Sequence, residues 1–99
     1  MSRGKDMPEN SDCAMTGFRF FNDMDFMKHY IFNEHWKDAN ERMVKFTERA
    51  KELKGCGVAM DRITEDIVFM GKMVKEQNKE EALDAYDTLF DRVIHEFLS

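Results

Sequence analysis

Leucine is scarce in this chain of 99 residues: four Leu stand against nine Phe and nine Met, the reverse of an ordinary Leu-rich helical core. Proline occurs once, at Pro8, and from Phe18 onward glycine appears only at Gly55, Gly57 and Gly71, so little interrupts a helix over most of the chain. No apolar run approaches the ~20 residues of a bilayer span, which argues against membrane insertion. The stretch from Met1 to Asn10 lacks the apolar core of a secretory signal, and the expected location is the cytoplasm. Two cysteines, Cys13 and Cys56, are too few for a disulfide framework and lack zinc-ligand spacing, so reduced thiols are expected. A net charge of -5 argues against direct nucleic-acid binding, which needs clustered Lys and Arg.

What is present is helical patterning. Residues 1–17 carry Gly4, Pro8, Asn10, Ser11 and Gly17 with no apolar period and read as a mobile tail; residues 18–99 read as one domain. Asn22 and Asp23 suit the start of a first helix, and Phe20, Met24, Met27 and Ile31 stand at helical steps along one face. Phe32, Trp36, Ala39, Met43, Phe46, Ala50 and Leu53 continue the period displaced by one residue, which suggests a break or bend with Asn33 as the next cap. Gly55 is placed to close that helix in a left-handed conformation. A helix over residues 58–77 presents Met60, Ile63, Ile67, Met70 and Val74, with Phe69 and Met73 on its flank. Gly71 suits the close approach of a neighbour. Asn78 and Glu81 form a capping-box pattern ahead of Leu83, Tyr86, Phe90, Val93 and Phe97, although one continuous helix across both stretches is a rival. The expected fold is all-α: an antiparallel bundle of three long helices with a short or bent N-terminal helical segment.

The hairpin of the last two helices is similar to a single tetratricopeptide repeat through Ile67, Met70, Gly71 and Val74 on its first helix and Ala82 and Tyr86 on its second. Its connection is one residue short, the closing proline is missing and no second copy follows, so the resemblance implies no function here.

Catalytic chemistry finds no support. Asp25 with His29 and Asp91 with His95 each place a carboxylate and an imidazole one turn apart, but the Glu-x-x-His repeat of di-iron bundles is missing. Local surface pairing is expected, with no metal or other cofactor. His35 lacks an oriented nucleophile, and the glycines around Cys56 suit a flexible junction. Arg42, Lys45 and Arg49 share one helix side and suit a small anionic ligand such as a nucleotide, or pairing with the acidic row Asp84, Asp87 and Asp91. The segment from Phe18 to Phe32 holds more apolar surface than one narrow stripe can bury, which points to Phe20, Phe21, Phe26 and Tyr30 as partner anchors. Residues 79–99 carry six acidic and two basic side chains, able to steer a basic partner. The expected function is therefore non-catalytic binding of another protein, as an inhibitor, small chaperone or adaptor, by a homodimer.

Overall fold

The structure, a computed structural model, describes the backbone over residues 2–98 and the side chains over residues 13–97. It is all-helical, with 87% helix and no strand among the described residues. The helices are α1 (Ser2–Phe32), α2 (Trp36–Gly55), α3 (Asp61–Lys75) and α4 (Lys79–Leu98). Short connections make successive helices antiparallel: α1 packs on α2 and α3 on α4, and the α2–α3 and α1–α4 seams close a bundle.

The N-terminal segment departs from expectation. In place of a short or bent helix opening near Asn22, α1 is the longest helix at 31 residues, and Asn22 and Asp23 stand in its interior. Residues 13–17, assigned to a mobile tail, lie against α2: Cys13 is bonded to Cys56, and the Thr16 hydroxyl donates to the Glu52 carboxylate at 3.5 Å. The expected free thiols are therefore a disulfide with a Cα–Cα distance of 6.0 Å. Local composition could not register that anchor, because its partner lies 43 residues away.

The core follows the helical stripes. Phe20, Met24, Met27 and Ile31 of α1 meet Ala39, Phe46, Ala50 and Leu53 of α2, with the Phe20 and Phe46 rings stacked at 4.6 Å. On the other side Ile63, Ile67, Met70, Met73 and Val74 meet Ala82, Ala85, Tyr86, Leu89 and Val93. Each large apolar side chain so buried contributes roughly 1.5–3 kcal/mol. The stripe expected on α4 is rotated: Leu89 and Ala85 are buried, and Phe90 is left exposed.

Three helices end in the same way. The His35 N–H donates to the Tyr30 carbonyl and the Glu34 N–H to that of Ile31. Asn78 does the same to Met73, with Gln77 donating to Val74, and Val58 to Leu53, with Gly57 donating to Lys54. These are Schellman turns, each with its penultimate residue in the left-handed region: Glu34 at φ 59°, Gln77 at 57° and Gly57 at 92°. Gly57 takes the role expected of Gly55, which remains inside α2. Asn33 closes α1 instead of capping α2, its side-chain amide donating to the His29 carbonyl at 2.8 Å. The break before α4 is where the capping pattern put it, with the Glu81 N–H donating to Asn78 Oδ1 at 3.2 Å.

The two hairpins are copies of one pattern. The 43-residue separation of the disulfide-bonded cysteines also relates the left-handed Glu34 to Gln77, and the buried Met24, Met27, Ile31 and Ala39 to Ile67, Met70, Val74 and Ala82. The same shift pairs Arg19 with Arg62, Asp23 with Asp66, Phe26 with Phe69 and Arg49 with Arg92. The α2–α3 seam then maps onto the α4–α1 seam, as an approximate twofold requires. A copy of the α3–α4 hairpin therefore precedes it in the chain.

Candidate functional site

Each hairpin places an aspartate from its first helix against an arginine from its second. In α1–α2, Asp23 is 4% exposed and its Oδ1 accepts from the Arg42 guanidinium at 3.0 Å, while Arg49 Nε stands 3.9 Å from Oδ2 without a hydrogen bond. Arg49 also reaches Glu52 at 3.6 Å. In α3–α4 the corresponding pair is tighter, with Arg92 Nε donating to Asp66 Oδ2 at 2.6 Å. Asp23 shares its charge between two cations, whereas Asp66 faces one.

The difference shapes the surface above each pair. The Arg42 guanidinium lies over the Phe26 ring at 4.5 Å, a cation–π contact that covers the aromatic face. Its neighbours Asp38, Glu41 and Lys45 complete a shallow notch of about 110 Å³. At the matching positions of the second hairpin stand Phe69 for Phe26, Glu81 for Asp38 and Asp84 for Glu41. Ala85 replaces Arg42 and Thr88 replaces Lys45. The result is an open cavity of about 170 Å³ whose side chains bear only negative charge, with Phe69 on its wall.

These positions sort the residues singled out by sequence. Phe20 is fully buried, and Phe21 is half-buried with its ring 5.4 Å from Phe97, so the expected anchoring role is corrected for Phe20: the core takes it up. Phe26 remains 37% exposed and stacks on the half-buried Tyr30 at 6.0 Å, but Arg42 caps it. Asp84, Asp87 and Asp91 are all exposed on α4. The Arg42, Lys45 and Arg49 row is not an open anion site, because Asp23 engages both guanidinium groups; Lys45 alone of the three is solvent-exposed. Nor do the arginines meet the α4 acidic row: Arg42 and Arg49 pair with Asp23, and Arg92 with Asp66. Sequence reasoning passed over Asp66 and Ala85 and took Phe69 for a helix flank, and the signal that could have found their role was the recurrence of Cys, Arg, Asp, Phe, Met, Ala and Arg at one fixed offset.

The two seams between hairpins also differ. At α2–α3, Gly71 lets Met43 approach, so that a Cβ added there would meet Met43 Cε at 3.0 Å. A groove of about 410 Å³ opens beside it, walled by Val44, Ile67 and Val68 and ending at Lys72 and Lys75. At α1–α4 the matching positions are Lys28 and Tyr86, with the ammonium 5.7 Å from the ring centroid. Burial, reinforced by the charges of Asp25 and Asp87, pushes the Tyr86 hydroxyl up to about 12.

Among the described residues, no three His, Cys, Asp or Glu side chains gather as a metal site, and no helix is long and apolar enough to cross a membrane. No protein-family model, curated protein or solved structure matches this chain.

Proposed function

We propose that this chain is a non-catalytic protein-binding domain, working as an inhibitor, small chaperone or adaptor, that recognises a basic partner through its α3–α4 hairpin. The observation that carries this reading is the exposure of Phe69 (48%) and Phe90 (40%) on the hairpin whose second helix bears Asp84, Asp87 and Asp91. Exposed aromatic anchors beside charged residues suit an interface, and one-signed charge raises the encounter rate with an oppositely charged partner. Phe69 and Phe90 take over the anchoring role from Phe20. The alternative, a small anionic ligand on Arg42, Lys45 and Arg49, is disfavoured by the engagement of both arginines with Asp23.

Self-association belongs to the same proposal, because Phe18 and Phe32 are exposed as well and a second copy would cover them. The Cys13–Cys56 bond favours an oxidising compartment over the cytoplasm as the place of action.

The test is affinity capture from extract of the native source, comparing the parent chain with a variant carrying Asp84→Asn, Asp87→Asn and Asp91→Asn. Capture of a defined basic protein by the parent, weakened by the variant and by raised salt, is the expected result. Equal capture by both chains removes the acidic helix from the recognition surface.

A further inference from the structure

The molecule contains a worked example of what the open notch on α3–α4 can hold. In the first hairpin a guanidinium lies over the Phe26 ring at 4.5 Å, bonds one oxygen of Asp23 at 3.0 Å, and leaves the other oxygen facing Arg49. In the second hairpin the counterparts of all but one of these parts are present. Phe69 supplies the ring, and Asp66 holds Arg92 through Oδ2 alone. Glu81 and Asp84 flank the opening, and Ala85 stands at the position of Arg42. A cation supplied from outside would meet a ring face, a carboxylate oxygen not used by Arg92 and two further acids.

We infer that the notch formed by Asp66, Phe69, Glu81, Asp84 and Ala85 is a binding site for an arginine side chain of a partner protein, which takes the place that Arg42 takes in the other hairpin. This rests on the protein-binding reading above and names its partner's chemistry. Arginine is preferred to lysine because a planar guanidinium can stack on the ring and bond a carboxylate edge at the same time, which a point-charge ammonium does less well. Charge supports the choice, since the chain carries -5 overall and no basic side chain lines the notch.

The experiment is an NMR titration of the oxidised full chain with a short blocked peptide, acetyl-Gly-Arg-Gly-amide, and its lysine counterpart. Saturable shifts at Phe69, Glu81 and Thr88 are expected with the arginine peptide, with the lysine peptide binding at least about threefold more weakly. Ala85→Arg, which supplies the guanidinium internally, should abolish those shifts. Ala85 is buried, so Phe69→Leu at an exposed position serves as the second variant and should weaken binding severalfold without disturbing the core. Shifts that do not saturate, that lysine matches, or that persist in Phe69→Leu overturn the inference. Shifts at Phe69 that grow with protein concentration alone assign the notch to a second copy of the chain and overturn it equally. The titration uses purified protein, so its failure leaves the capture result standing; charge-dependent capture that survives Ala85→Arg discards the arginine site and keeps the protein-binding reading.

Discussion

In the α1–α2 hairpin Phe26 lies under Arg42, while at the matching point of α3–α4 Phe69 lies beside Ala85 and is exposed. The first hairpin is also fastened at both ends, by the Schellman turn through Glu34 and by the Cys13–Cys56 bond, whereas α3–α4 has the matching turn at Gln77 and, among the described residues, no disulfide. The matching points thus differ: in one hairpin a guanidinium covers the ring and a disulfide ties the ends, and in the other the ring lies beside acids with no cation over it. A buried anion shared by two guanidinium groups and a partly exposed anion held by one record the same difference.

The largest effect expected to break this comparison is reduction of the disulfide. Closing a loop of 43 residues constrains the unfolded chain by about 3–4 kcal/mol. Urea unfolding with and without dithiothreitol should show that loss, and Ser at both positions should reproduce it without reductant. A reduced protein as stable as the oxidised one would mean that the first hairpin has no special fastening.

Next comes the aspartate pair. Asp23→Ala leaves two partly buried guanidinium groups without their anion and should lower stability by about 2–3 kcal/mol. Asp66→Ala removes a side chain that is 18% exposed and serves one arginine, with an expected loss of about 1–2 kcal/mol. Equal losses in urea would erase the distinction between the hairpins.

A pH titration sharpens the contrast between seams. The Tyr86 hydroxyl is raised from its ordinary 10.0 to about 12, first by burial and then by Asp25 and Asp87. Between those values the folded state keeps a proton that the unfolded chain releases. Stability is therefore full below pH 10 and declines by about 2 kcal/mol as the pH rises to 12. Tyr86→Phe should remove that decline, whereas Met43→Leu at the matching point of the other seam should leave it.

The smallest effect tests the equivalence itself. Glu34 and Gln77 occupy left-handed positions that glycine adopts without strain, so Glu34→Gly and Gln77→Gly should each raise stability by about 0.5–1 kcal/mol. Unequal gains would show that the two turns carry different loads.

Much of this fold was legible in short-range pattern. The stripe Met60, Ile63, Ile67, Met70 and Val74 is buried as its spacing indicated, and Asn78 with Glu81 marked the start of α4 within a residue. The break after Phe32 was likewise written locally, in a displaced apolar period, although Asn33 closes α1 where a cap of α2 was expected. What escaped was long-range. Asp23 looked like a helix cap because Asp suits that role, and only the arrival of Arg42 and Arg49 makes it an interior anion. Phe69 looked like a flank of the core because nothing local distinguishes a covered ring from an open one. Cys13 and Cys56 looked like separate reduced thiols because pairing depends on tertiary proximity. The offset that unites these residues is itself a sequence property, diluted by substitutions such as Phe20 to Ile63 and Phe46 to Leu89 that keep burial and change identity.

The disulfide also sets how far the molecule can be drawn out. A chain pulled from its two termini while oxidised cannot yield the segment between Cys13 and Cys56, which stays looped off the line of tension. At roughly 3.3–3.6 Å per residue, those 43 positions amount to about 150 Å of contour that only a reductant can release. Under load, the oxidised protein is a much shorter tether than its length in residues suggests.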